Sequence, residues 1–454
     1  MKLFKHIAGL LSATAIAVGA WSCTDLDEVT FDRIDASTYY QDEQSVQSAV
    51  ASIYASAASG FLEYFWYLNE FPADQIAWRT WNGGAWGYDE AAKFVLSTQT
   101  WNSESVIIRQ AWEHAWETIG LCNTLINDLE ALNPEAIGMT DASLRSYIAE
   151  VRTMRAWAYY NNFELWGGSL PLNISVGGDI PGSADPDFDK GCEVIWNFIA
   201  DELDGCWADL TAEDGSSATR NRMNQGMNRM RKMRILLNSQ LWTGTDRYAE
   251  CATLCQEIID GKYGQYDLAA DYRKIYGVDN NTCPEVVFAF AMEAGRMTNN
   301  NRNTPFLPYN YDEMFGFSCD QGGWNCTCLV PSKDKTGTLD PNAGSAKQLV
   351  NDVRLRYYSA SDASTIENPG PGFDKFDSDW MLSEWGLEFL NEGRRRRTDL
   401  RRFDKFTQGQ WWFFGRTSET DREMPAKRDR RYEWYPLPQV ALMVNPGLVQ
   451  NPNY

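Results

Sequence analysis

Apolar positions recur at helical spacing through the first 260 residues. Ala115, Ile119, Cys122, Ile126 and Leu129 fall at steps of four, three, four and three, which is one face of a helix. That face predicts a helix from about 103 to the stop at Asn133-Pro134. A second helix is predicted over 141–166, carried by Leu144, Ile148, Val151, Met154 and Ala158 and ended by Gly167-Gly168. Further helices are predicted over 192–210, 224–242 and 246–260, with an earlier one over 43–58. Thr243-Gly244-Thr245 leaves room only for a tight turn between two of them. Antiparallel helix pairs every 35–45 residues or so resemble tetratricopeptide-type units, although the consensus positions of that repeat are poorly kept.

Beyond about residue 265 the texture changes. Pro, Gly, Asn and Asp become frequent, only 380–391 reads as strongly helical, and 295–345 shows no period at all. Irregular stretches of that length inside a domain usually carry function. No low-complexity linker separates the halves. The expectation is a mainly α protein forming one body, with a helical-repeat region over 23–265 packed against an irregular, loop-rich region with little β over 266–454.

The first 22 residues read as an export signal: Lys2 and Lys5, an apolar run over 7–18, then small residues before Cys23. The run is too short to span a bilayer. A cysteine at the expected cut resembles a lipoprotein acylation site, so Cys23 is predicted to carry the lipid, followed by the acidic tether Thr24-Asp25-Leu26-Asp27-Glu28. Forty-one basic against 62 acidic residues give a formal charge of −21, and losing Lys2 and Lys5 makes it −23. Phosphate binding relies on a basic excess, so a nucleic-acid partner is excluded. With 1–22 removed, His114 is the remaining histidine, too few for a histidine-rich metal site.

Nine cysteines remain beyond Cys23. Cys122, Cys192, Cys206, Cys251 and Cys255 fall at helical core spacing and read as small buried hydrophobes. Cys319, Cys326 and Cys328 lie in a Gly/Asn-rich loop where a disulfide clip fits. No cofactor is implied. Asp185, Asp187 and Asp189 imitate the start of a calcium loop, but Lys190 and Trp196 stand where Gly and Glu are required. Asp374, Asp377 and Asp379 leave an irregular calcium site open. The run 394–397 is all arginine, flanked by Glu392, Asp399 and Asp404, and reads as an internal ion-pair network.

The informative constellation is aromatic. At 13% Phe, Trp and Tyr, the chain carries more rings than a core of this size demands. Tyr64, Phe65, Trp66, Tyr67, Phe71, Trp78, Trp81, Trp86 and Tyr88 crowd a segment that also holds Asn82, Gly83, Gly84 and Gly87. Residues 78–88 keep no period, and glycine beside a ring lets a flat ligand approach closely. A sugar has that shape: its C–H face stacks on Trp or Tyr, and its hydroxyls need amide, carboxylate or guanidinium partners. The candidate ligand residues are therefore Trp78, Arg79, Trp81, Asn82, Trp86 and Tyr88. A second rim is expected at Tyr309, Asn310 and Trp324, where Asn-rich sequence precedes Gly322-Gly323-Trp324.

Several motifs together resemble the SusD/RagB family. Ala149-Glu150-Val151-Arg152-Thr153-Met154-Arg155-Ala156-Trp157-Ala158-Tyr159-Tyr160, then Leu165-Trp166-Gly167-Gly168, is similar to that family's signature helix. Tyr435-Pro436-Leu437-Pro438-Gln439 and the ending Asn451-Pro452-Asn453-Tyr454 resemble its C-terminal close. Asn391-Glu392-Gly393 with Arg396-Arg397-Thr398-Asp399-Leu400-Arg401-Arg402 resembles a further segment, with one extra arginine. The resemblance implies a non-catalytic, lipid-anchored protein of the cell outer membrane, facing outward. It would bind oligosaccharide and deliver it to a SusC-like TonB-dependent transporter. A peptide cargo, or more remotely a helical glycoside hydrolase, are the alternatives.

Overall fold

The computed structural model describes residues 39–78, 89–277, 279–293, 378–390, 394–409 and 427–454, with short pieces at 310, 312–313, 316, 327–329, 412–413 and 422–423. The helical stack begins at α1 (Glu43–Ser56). A capping box starts it: Asp42 accepts the Ser45 N–H at 2.8 Å, and the Ser45 hydroxyl accepts the Asp42 N–H. One π-helical turn (Ala57–Phe61) carries the chain without a break into α2 (Leu62–Glu70). The predicted helix 43–58 therefore runs on, and Phe65, Trp66, Tyr67 and Phe71 become core rings of this run and its end.

After β1 (Ile76–Trp78) and α3 (Asp89–Ser97) come the two longest helices, α4 (Val106–Glu130) and α5 (Asp141–Trp166), packed on each other. Thr140 caps α5 by accepting the Ser143 N–H at 3.0 Å. From Ala149 to Trp166 almost every α5 side chain is buried, because α4 covers one side and α6 (Phe188–Asp204) another. Gly168 and Gly191 make that second crossing possible. A Cβ on Gly168 would collide with the Phe188 carbonyl, and one on Gly191 with the Gly168 carbonyl. The stack continues through α7 (Gln225–Leu237), α8 (Ser239–Thr243) and α9 (Tyr248–Ile259). The predicted 192–210 and 224–242 helices each end in a separate short turn, Trp207–Asp209 and α8 respectively.

Among the described residues β structure is confined to two small ladders: β1 with β2 (Thr327–Leu329), and β3 (Trp412–Phe413) with β4 (Arg422–Glu423). Late in the chain, α10 (Ser378–Glu388) and α11 (Arg396–Arg402) pack together, α11 also against α2, and α12 (Gln439–Val444) precedes the end. One core cluster runs from Tyr40 to Leu437 and takes in Leu382, Leu400, Phe406 and Tyr435. The closing segment threads directly onto the signature helix. The Tyr435 N–H donates to the Leu165 carbonyl at 2.9 Å, Trp166 Nε1 donates to the Pro436 carbonyl at 3.2 Å, and the Tyr435 hydroxyl reaches the Leu68 carbonyl at 2.8 Å. Two motifs 270 residues apart are thus one packing unit.

Most buried arginines of the stack and of the 394–397 run meet carboxylates. Arg152 and Arg155 both meet Glu202 at 3.0 Å, Arg155 also donating to Asn123. Arg395 and Arg402 share Asp399, while Arg396 grips Asp74 with two hydrogen bonds of 2.6 and 2.8 Å. Cys122, Cys192, Cys206 and Cys251 are buried free thiols, with Cys255 half-buried. The pseudo-calcium loop is a helix cap: Asp187 accepts the N–H groups of Asp189 and Lys190, and Asp185 accepts that of Asp187.

Candidate functional site

The aromatic segment is launched from β1, and β1 is held from three directions. The Trp78 N–H donates to Ser97 Oγ at 2.8 Å. Gln99 Nε2 donates to the Pro72 carbonyl at 2.9 Å, and Arg428 Nε in turn donates to Gln99. On the opposite side Asp74 is the partner of Arg396, and Gln75 Nε2 donates to the Gly386 carbonyl at 2.5 Å. These bonds tie the eight residues from Phe71 to Trp78 to α3, α10 and α11.

Trp78 itself corrects an expectation. It was a candidate ligand ring, but it is 2% exposed, with its ring centroid 5.4 Å from that of Phe71 and 6.3 Å from that of Tyr67. Lys93 of α3 lies over it, Nζ 4.6 Å from the ring centre, and the same ammonium sits 4.8 Å from the Tyr67 ring. A ring enclosed in that way stacks on protein. Trp78 is the floor from which the following residues depart.

Pairing in the β1–β2 ladder supplies a relation the sequence concealed. The strands are antiparallel, with Ile76 opposite Leu329, Ala77 opposite Cys328 and Trp78 opposite Thr327. Trp78 is the last residue of β1 and Thr327 the first of β2. The chain therefore leaves one strand and enters the other at the same end of the ladder. The two ring-and-amide segments singled out in the sequence, one following Trp78 and one preceding Thr327, are joined to the fold at one place. Arg79, Trp81, Asn82, Trp86, Tyr88, Tyr309 and Trp324 lie outside the described residues, as do Cys23, Cys319 and Cys326. Asn310 is described and exposed.

A groove elsewhere in the stack was not anticipated. A groove of about 600 Å³ opens between α1, α5 and the segments around Arg222 and Phe290. The Tyr54 hydroxyl donates to Glu150 at 2.5 Å and accepts the Met223 N–H at 2.6 Å. Arg222 Nε donates to the same carboxylate at 2.9 Å, and its guanidinium lies 4.9 Å from the Tyr147 ring centre. Burial, and then the adjacent Glu150 charge, push the Tyr54 hydroxyl well above its ordinary pKa. Glu150 is thereby fully occupied, and the wall offers rings and amides rather than a free acid or base. Its sequence signal was Glu150 itself, a carboxylate in the most buried stretch of the longest helix.

The described helical stack shares its fold with solved proteins of the SusD superfamily. A protein of Bacteroides fragilis called NanU has it, with a TM-score of 0.66 at 17% identity, covering 92% of this chain and 98% of that one. So does surface glycan-binding protein A from Bacteroides thetaiotaomicron, solved with laminarihexaose (TM-score 0.58, 15% identity, 91% and 100% coverage). In sequence, residues 336–454 match the SusD family model. Starch-binding protein SusD of Bacteroides thetaiotaomicron is 24% identical over 345 residues, which is 71% of this chain and 58% of that protein's length. In both fold and C-terminal sequence the chain is thus similar to SusD-family proteins.

Proposed function

We propose that this protein is a non-catalytic receptor for oligosaccharides. In this reading it is anchored through Cys23 at the outer face of the outer membrane and hands its ligand to a SusC-like TonB-dependent transporter. The observation that carries the proposal is the β1–β2 ladder, which roots both ring-and-amide segments at one end, with Trp78 opposite Thr327. Two such segments side by side would give a sugar chain stacking faces on one flank and amide partners on the other. Relatives named for binding starch and for a complex with laminarihexaose support a glycan as ligand.

Binding of a panel of starch and laminarin oligosaccharides, measured by calorimetry on Trp86→Ala and Trp324→Ala, tests the ligand surface. About a tenfold loss of affinity, about 1.4 kcal/mol, with an unchanged melting temperature is expected for a stacking ring. Unchanged affinity in both variants, against a glycan the wild type binds, would remove those segments from the site. Cys23→Ser should release the protein from the membrane fraction. Detergent extraction of the native protein should co-purify a β-barrel partner.

A further inference from the structure

The groove between α1 and α5 has the size and the lining of a ligand site, and the β1–β2 ladder makes no use of it. Its volume of about 600 Å³ falls among pockets for small molecules, roughly 300–1,000 Å³. A pocket of about 150 Å³ shares Glu150, Ala218 and Arg222 with it, so the two spaces meet at that arginine. Four exposed alanines, Ala51, Ala55, Ala218 and Ala291, line the groove, and their short side chains leave its depth open. The rings of Tyr54 and Phe290 lie 6.1 Å apart, steeply inclined at 67°. Both are half-buried, where Trp78 is enclosed.

The charged groups of the groove are spent on one another. Arg222 takes Glu150 through Nε and Nη2, and the Tyr54 hydroxyl donates to the same carboxylate at 2.5 Å. A charged ligand would have to break that set, so the groove suits a neutral one. The Tyr147 hydroxyl is also engaged, donating to Glu43 at 2.9 Å and accepting from Gln47 Nε2 at 2.8 Å. What remains unspent is polar. Among the described residues Gln47 Oε1, the Asn221 amide, Arg222 Nη1 and the hydroxyls of Ser146 and Thr211 make no hydrogen bond. A purely apolar occupant would strip water from these groups and return nothing. An amphipathic ligand uses both parts of the lining: a C–H face lies on Tyr54 and Phe290, and hydroxyls take the amides, the hydroxyls and Arg222 Nη1.

We propose that this groove is a second saccharide site, taking a short neutral sugar on the helical stack. It shares no residue with the β1–β2 ladder. Its ligand class follows from its own lining, so either site can fail without the other.

Hydrogen–deuterium exchange of the lipid-free mature chain tests it, with maltotriose, laminaritriose and mannotriose as millimolar probes. At least one of them should slow exchange in the peptides covering 43–56 and 217–224. Ala51→Trp plugs the groove from an exposed position of α1 and should weaken that protection about tenfold. Ser52→Trp, exposed on the same helix but outside the groove, should keep it to within about twofold. Both positions are at the surface, and unchanged melting temperatures verify that both variants fold. Protection that survives Ala51→Trp, or none from any of the three sugars, would overturn the proposal. So would enhanced fluorescence of anilinonaphthalene sulfonate that Ala51→Trp abolishes and no sugar displaces, because the groove would then be an apolar docking surface.

Discussion

The helical stack and the junction around α11 both bury arginine, but in different ways. In the stack, Glu202 sits between α5 and α6 and answers Arg152 and Arg155, so charge is matched locally. At the junction, Arg395 and Arg402 share Asp399, Arg396 takes Asp74, and Arg401 Nε lies 3.4 Å from Glu433. Further guanidinium N–H groups turn to backbone. Arg397 donates to the carbonyls of Glu164 and Glu433, at 2.9 and 2.6 Å, and Arg401 donates to Glu164 at 3.0 Å while lying 3.9 Å from the Trp434 ring centre. Arg397 Nε, Arg401 Nη2 and Arg402 Nε have no hydrogen-bond partner. Burial, and then the neighbouring Arg397, bring the Arg401 guanidinium down to about 9. The lesson is a division of labour. The stack is stabilised by apolar faces with a few matched charges. The junction holds segments hundreds of residues apart in one place through directional bonds, at a cost in unmatched donors.

The largest expected effects separate core from surface within that junction. Trp78→Ala should cost about 3–5 kcal/mol of stability, because it empties a cavity under Tyr67, Phe71 and Lys93. Denaturant melts check this, and Trp86→Ala should leave the same curve in place. A Trp78→Ala curve superimposable on wild type would return that ring to the ligand column.

Glu202→Gln strikes the stack. It leaves Arg155, 7% exposed, without its counter-charge, and should cost about 3 kcal/mol. Replacing Arg155 by Met in the same chain should restore most of that loss. A single variant that melts like wild type would mean that the stack does not depend on matched charge.

Glu70 offers a pH test of the junction. Burial pushes its carboxyl up to about 8, against the pull of the Arg396 backbone and charge at the start of α11. A group whose folded pKa lies above its ordinary 4.5 binds its proton more tightly in the folded state. Its contribution is complete below about pH 4.5 and is lost as pH rises through 8. Glu70→Gln should therefore match wild type near pH 4.5 and be the more stable chain by about 4 kcal/mol at pH 8.5. Parallel pH–stability curves for the two proteins would contradict it.

The smallest effect belongs to local helix chemistry. Thr140→Ala removes the cap of α5 and should cost about 1 kcal/mol, with ligand binding unchanged. A larger loss would mean that the long helix depends on its first turn more than on its buried faces.

Much of the stack was legible in the chain itself. The helix predicted over 141–166 is observed as Asp141–Trp166, because periodicity is a local property; of the arginine run, Arg395 is ion-paired to the flanking Asp399 as predicted, whereas Arg396 takes distant Asp74 and Arg397 takes backbone carbonyls. The continuation of α1 into α2 was missed: the rings of 64–71 face a core on several sides and so leave no clean stripe. The Tyr54–Glu150–Arg222 groove was missed for a related reason. Its members come from three separate segments, and no spacing along the chain marks them as neighbours.

For the candidate site the boundary is sharper. Sequence alone determined that the chain is mainly α, strongly acidic, and supplied with rings and amides in two aperiodic segments. It also carried the motifs that resemble the family. Only the tertiary structure decided that the ring of Trp78 belongs to the core and that Trp78 pairs with Thr327. Burial and strand register are set by contacts between residues some 250 positions apart. A three-residue ladder carries too little local pattern to announce its partner.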